Sequence, residues 1–337
     1  MEYKALALDA WRLTRHGRPL WWLGLVSAAS ALMYSLIVLA MTGPLAILPQ
    51  LVVTPGTYAT GVGAGVDEWR VRAVGRLSQT ISAHGFSILA GITVVYVVWI
   101  VLGVFDVASQ TGLITQAYAA ERLQAPSFRV GMRDGFRVWW RVVGLLALSV
   151  LPSLVAMLGV GLVMLFTVSL PLLRGETPDP SAVLLGNAML SPLSAITTLV
   201  GIPVGLTVQL GMRNAVLADE DWKASFSAGW KLLAGNFMEV ALVYLLVAGV
   251  GLIVGIVAGI VISVVGGIAA VVVVSEVLTG GAGGGVVLTL VAAFAVLSLL
   301  LVPLTAVTYV WNSCVWTLYW TRKTGSSSLG ATMVDSA

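Results

Sequence analysis

Three hydroxyl residues and three carboxamides recur at one interval along this chain. Ser109, Thr207 and Thr305 stand 98 residues apart, and Gln116, Asn214 and Asn312 repeat the same step. In each pair the carboxamide follows the hydroxyl by seven residues, so on a helix both lie on one face, about 10 Å apart along the axis. Gathered round a common axis, six such groups could bind a small polar solute by hydrogen bonds alone. The plainer alternative is that they join helix to helix, at roughly 1 kcal/mol each. Two ionisable residues accompany them. Asp106 precedes Ser109 and Gln110 by about one turn, and Arg213 precedes Asn214. A charge within hydrocarbon is expensive and marks a candidate site, although an arginine near a helix end can also snorkel to the headgroups.

Other chemistry finds little material. The only two histidines are His16 and His84, and there is no His-Glu-x-x-His or Gly-x-Ser-x-Gly arrangement. General acid–base catalysis needs positioned titratable groups, and the chain is poor in them. The glycine runs Gly61-Val62-Gly63-Ala64-Gly65 and Gly280-Gly281-Ala282-Gly283-Gly284-Gly285 lack the flanking Lys-Ser/Thr or βαβ context of phosphate loops. A lone Cys314 rules out a disulfide framework and a cysteine metal site. The expectation is a non-enzymatic protein without metal or cofactor.

Arginine carries a different message. Arg129, Arg133, Arg137 and Arg141 fall four apart, a basic stripe on one helical face. Trp222, Phe226 and Trp230 form an aromatic stripe at the same spacing, and Trp21, Trp22, Trp139 and Trp140 flank such segments. Basic and aromatic faces suit a helix lying at headgroup level, and the arginines would hold anionic lipid heads. The alternative is a connector whose aromatics pack on their neighbours. The pI near 9.1 then reflects membrane topology, with no nucleic-acid partner implied.

The elements that must carry these residues follow from composition. Hydrophobic residues make up 58% of the 337 and charged residues only 10%, against about 25% charged in soluble domains. Apolar runs at 20–42, 86–105, 142–170, 192–212, 236–275 and 286–311 are each about long enough to cross some 30 Å of hydrocarbon. Lipid cannot satisfy free backbone groups, so each crossing should be helical. The run 236–275 exceeds one crossing; it is either one long tilted helix or a crossing with a re-entrant piece. The first run follows Lys4, Arg12, Arg15 and Arg18, and Ala28-Ala29-Ser30-Ala31 resembles a cleavage site, but the run is too long for a signal-peptide core.

Topology follows from the basic residues. Fourteen of the eighteen Lys/Arg lie in the N-terminal segment, the connections 106–141 and 213–235, and the C-terminal tail. The alternate loops hold Arg70, Arg72, Arg76 and Arg174. Positive-inside bias therefore places both termini in the cytoplasm of a multi-pass cell-membrane protein, with His16 and His84 on opposite sides. Gly251, Gly255 and Gly259, four apart, read as a helix-packing stripe, within the chain or between subunits.

The chain also repeats itself. Ala117-Tyr118-Ala119-Ala120-Glu121 matches Ala215-Val216-Leu217-Ala218-Asp219, and Ser127-Phe128 matches Ser225-Phe226. Ala10-Trp11-Arg12-Leu13, Gly135-Phe136-Arg137-Val138 and Gly229-Trp230-Lys231-Leu232 share a small–aromatic–basic–aliphatic signature. These features predict an all-α integral membrane protein: one membrane domain, 1–323, with a short polar cytoplasmic tail, 324–337. Six transmembrane helices would fall into three pseudo-repeats, about 5–122, 123–221 and 222–323, each opened by a cytoplasmic amphipathic elbow helix. Such repeats are common in membrane folds.

In these motifs the chain, over about residues 5–323, resembles the bacterial membrane domain attached to some glycerophosphodiester phosphodiesterases and related six-helix membrane proteins. The resemblance implies a fold and no chemistry. Fourteen residues follow Lys323, so the expectation is a membrane domain without the phosphodiesterase part. Two functions remain on this reading: a membrane module that binds lipid or a protein partner through its basic elbows, or a transporter or channel for a small solute using the polar cluster.

Overall fold

The computed structural model describes residues 2–33, 93–166, 170, 180–278 and 284–325. Among them all regular structure is helical. Arg70, Arg72, Arg76, Arg174, His84, the run Gly61–Gly65, Gly280–Gly283 and the tail from 326 lie outside the described residues, as does the first apolar run beyond 33.

Eight helices are described. α1 is Tyr3–His16, α2 covers 18–33, α3 is Thr93–Glu121 and α4 is Phe128–Met164. α5 is Pro180–Leu217, α6 is Trp222–Gly235, α7 is Phe237–Leu278 and α8 is Gly284–Thr324. Five of them, α3, α4, α5, α7 and α8, are long and apolar enough to span a bilayer. The chain is a multi-pass α-helical membrane protein. The run 236–275, left open by sequence, lies from residue 237 onward in a single helix, the 42-residue α7. Pro152 in α4 and Pro303 in α8 stand inside helices, which membrane helices tolerate where neighbours satisfy the freed backbone groups.

Two compact units divide the chain. One comprises Met33–Gly103 and Ala156–Ala195. Its described residues present Val94, Val97, Ile100, Leu158 and Leu162 outward, and Tyr96 meets Trp99 edge to face at 6.1 Å.

The other unit, Met1–Leu32, Val104–Val155 and Ile196–Ala337, holds the core. The last turns of α8 form its centre, where Val310, Cys314, Val315, Trp316, Leu318 and Tyr319 are buried against Leu6 and Ala10 of α1, Leu20 and Leu23 of α2, and Val240 and Val243 of α7. Polar ties surround this centre. Arg322 binds Asp9 at 2.7 Å, Lys323 binds Glu239 at 2.7 Å and Asn236 at 3.1 Å, and Thr321 donates to Glu121 at 3.0 Å. The end of α8 is thereby fastened to α1, α3 and α7.

Small residues let helices approach backbone to backbone. A Cβ added at Gly135 of α4 would lie 2.0 Å from the Ala108 carbonyl oxygen of α3, and one at Gly229 of α6 would lie 2.5 Å from the Thr207 carbonyl oxygen of α5. Only glycine permits either contact. The stripe Gly251, Gly255 and Gly259 does not work this way: nothing in the described chain lies within 4 Å of a Cβ at any of the three. Its neighbours Leu252, Ile256 and Ile260 are also exposed, so that face of α7 is turned away from the rest of the described chain.

Both connections into α4 and α6 turn on a left-handed residue, Leu123 (φ 59°) and Asp219 (φ 55°). Such conformations cost a non-glycine residue about 1 kcal/mol. Asp219 recovers part of this by pairing with Arg141. Leu123 is 95% exposed and has no such compensation.

Candidate functional site

The residues singled out from sequence make separate hydrogen bonds. Ser109 Oγ donates to the Asp106 carbonyl of its own helix at 2.9 Å, and Thr207 Oγ1 donates to the Pro203 carbonyl at 2.9 Å. Gln116 Oε1 accepts from the Ser127 backbone N–H at 2.7 Å, closing the α3–α4 connection. Asn214 Oδ1 accepts from the indole N–H of Trp320 at 2.9 Å, a buried bond between α5 and α8. Thr305 is half-buried on α8. Asn312 lines both cavities described below.

Asp106 is held by polar partners. Ser27 of α2 donates to it, and Gln110 Nε2 reaches both carboxylate oxygens at 3.0 Å. The carboxylate is thus a bracket between α2 and α3. Arg213 departs from the snorkelling expectation, since it is 2% exposed and does not reach the surface.

Around Arg213 the structure assembles a site that the 98-residue interval misses. A cavity of about 60 Å³ lies between α3, α5 and α8. α3 contributes Gln110, Leu113 and Ile114; α5 contributes Gln209, Met212 and Arg213; α8 contributes Tyr309, Asn312 and Ser313. Arg213 Nη1 donates to the backbone carbonyl of Gln209 at 2.6 Å and to its Oε1 at 2.8 Å. Its Nε is buried without a partner, as are Asn312 Oδ1 and Ser313 Oγ. No carboxylate pairs with this guanidinium among the described residues. Burying a cation without a counter-charge costs several kcal/mol.

An interval of 99 relates seven of the nine lining residues. Gln110 and Gln209, Leu113 and Met212, and Ile114, Arg213 and Asn312 all obey it, as do Ala108 and Thr207, the two partners of the close glycine contacts. One residue of register turns a helix by about 100°, enough to exchange one face for another. The signal was therefore present in the sequence, one position away from the motif match.

A larger cleft, about 480 Å³, adjoins the same residues. Ser149 and Ser153 of α4 and Thr197, Thr198, Gly201 and Gly205 of α5 line it, with Tyr244 and Val247 of α7 and Trp316 of α8. Gln209 and Asn312 belong to both cleft and cavity.

The basic stripe occupies the first turns of α4. Arg129, Arg133 and Arg137 are exposed, Arg133 beside Asp134 at 3.5 Å, and Arg141 pairs with Asp219. Phe136 and Trp140 are exposed beside them, and Gly131, Gly135 and Val142 on the opposite half of the helix are buried. The aromatic stripe of α6 divides. Trp222 packs against Gly144 and Phe226 against the core around Val142 and Leu145; Trp230 alone is exposed. For the first two, packing on neighbours is the correct reading. No protein-family model, curated protein or solved structure matches the chain.

Proposed function

We propose that this chain is a non-enzymatic membrane module that holds anionic lipid headgroups, and through them or beside them a protein partner, on a basic cytoplasmic surface. One observation carries the reading. Arg129, Arg133 and Arg137 are exposed on the same half of α4 as Phe136 and Trp140, while the other half is locked to α3 through Gly131 and Gly135. Guanidinium groups above an aromatic ledge suit the boundary between phosphate and acyl chain. Each exposed arginine near an anionic leaflet contributes about 1 kcal/mol.

The topology belongs to the same proposal. Six crossings in three units, each opened by an elbow helix (α1, the start of α4, and α6), agree with the apolar run that begins in α2 and with the recurrent intervals along α3, α5 and α8. The pairing of Asp9 with Arg322 supports placing both termini on one side, and the distribution of Lys/Arg makes that side the cytoplasm. Resemblance to the six-helix membrane domain of the phosphodiesterase family fits this arrangement.

Native mass spectrometry of the detergent-solubilised protein tests the reading. The chain should retain phosphatidylglycerol in preference to phosphatidylcholine, and a variant with Arg129, Arg133 and Arg137 all changed to Gln should lose that preference. Equal retention by the variant would reject it. A second reading, passage of a small solute, is favoured by the hydroxyl-lined cleft that meets the cavity at Gln209 and Asn312.

A further inference from the structure

We infer that the cavity beside Arg213 is a binding site for a small inorganic or carboxylate anion of halide to formate size, reached from the hydroxyl-lined cleft past Gln209 and Asn312. Three observations converge. The guanidinium is buried within the helices and has no carboxylate partner among the described residues. Its Nη1 is taken up by Gln209, but its Nε and the Ser313 hydroxyl remain buried donors without acceptors. Both residues line a partly open space of about 60 Å³, and about one water-probe sphere of 10–15 Å³ suffices for a single water.

The chemistry selects the occupant. A neutral solute would leave the positive charge uncompensated in a low-dielectric site. A second cation would worsen it. A small anion supplies the missing charge and accepts from Nε and from Ser313, charge-assisted bonds of the stronger class. Asn312 completes the set: its carboxamide can turn either end to the cavity, because the bonding network decides which end faces in. Leu113, Ile114 and Met212 supply apolar walls. The shared chemistry of a free anion and a lipid phosphate is separated by the test. This inference is independent of the headgroup surface on α4, since the two sites share no residue.

The test is thermal unfolding of the purified protein in detergent, in sodium gluconate as the background of a large excluded anion, with sodium chloride or sodium formate titrated in. A saturable rise of about 5 °C at hundred-fold excess over the dissociation constant is expected. Ser313→Ala removes one donor without adding an atom to the cavity, so its half-saturating concentration should rise about tenfold. Arg213→Gln should abolish the response; if that variant does not fold, Ser313→Ala decides alone. Unfolding midpoints that do not differ between chloride, formate and gluconate would overturn the proposal. So would an unchanged response in Ser313→Ala, or stabilisation by short-chain phosphatidylglycerol with none by chloride or formate, which would assign the charge to a lipid phosphate. Loss of headgroup preference in the α4 arginine variant, with the anion response intact, would leave this site standing.

Discussion

Asp9 and Arg322 meet at 2.7 Å although 313 positions separate them in sequence. The pair joins α1 to the last turn of α8. Both side chains are about one-third exposed, and exposed pairs contribute at most about 1 kcal/mol. The bond reports topology more than it supplies stability. Single cysteine variants at Asp9 and at Arg322, in a Cys314→Ser background, should both react with an impermeant maleimide in inverted vesicles and not in right-side-out ones. Labelling of the two from opposite sides would contradict the arrangement.

Trp320 and Asn214 share a buried hydrogen bond, and each is the other's polar satisfaction. Trp320→Phe leaves a buried carboxamide oxygen unmatched and should lower stability by about 1–3 kcal/mol. The double variant Trp320→Phe with Asn214→Leu should lose less than the sum of the two single changes. Chemical denaturation in detergent, arranged as a double-mutant cycle, measures the coupling; strict additivity would deny it.

Gly135 and Gly255 make opposite forecasts. Gly135→Ala drives a methyl into the Ala108 carbonyl and should cost about 2 kcal/mol through displacement of α4 from α3. Gly255→Ala meets open space and should be neutral or stabilising by up to about 1 kcal/mol, from helix propensity. Melting temperatures of the two variants would separate a glycine that packs from one that does not.

Leu123 holds a left-handed conformation in nearly full exposure. Leu123→Gly relieves the conformational cost at the end of α3 and should raise stability by roughly 1 kcal/mol. A destabilised variant would mean that the leucine side chain is anchored in something outside the chain, and lipid would be the first candidate.

Ser27→Ala removes the tie between α2 and the Asp106 carboxylate. A hydrogen bond to a charged group contributes about 1.5–3 kcal/mol, so a loss in that range is expected by denaturation. The anion response at Arg213 should persist, because Asp106 does not line that cavity.

Helical class, the long spanning segments and the exposed stripe Arg129–Arg137 were legible in the sequence, because hydrophobic length and four-residue spacing are local properties. The candidate site was legible only in part. The 98-residue interval selected Gln116 and Asn214, which the structure uses to close a connection and to hold Trp320. The cavity follows 99, and a one-residue error changes which face of a helix is read. Glycine spacing was equally ambiguous: Gly251, Gly255 and Gly259 have the pattern of a contact, but pattern does not say whether a partner is there. Trp222 and Phe226 carry the spacing of a membrane-facing stripe, yet packing against Gly144 and the Val142–Leu145 core decides their place.

The 42 residues of α7 amount to about 63 Å at 1.5 Å per residue, twice the hydrocarbon of an ordinary membrane. Its first turn is fixed by the Lys323–Glu239 pair, so the excess must be accommodated from there onward, by a steep incline or by emergence on the far side. Either way the acyl-chain length of the surrounding lipid becomes a variable of the fold. Reconstituted into phosphatidylcholines of rising chain length, the protein should reach its highest unfolding temperature in the thicker bilayers.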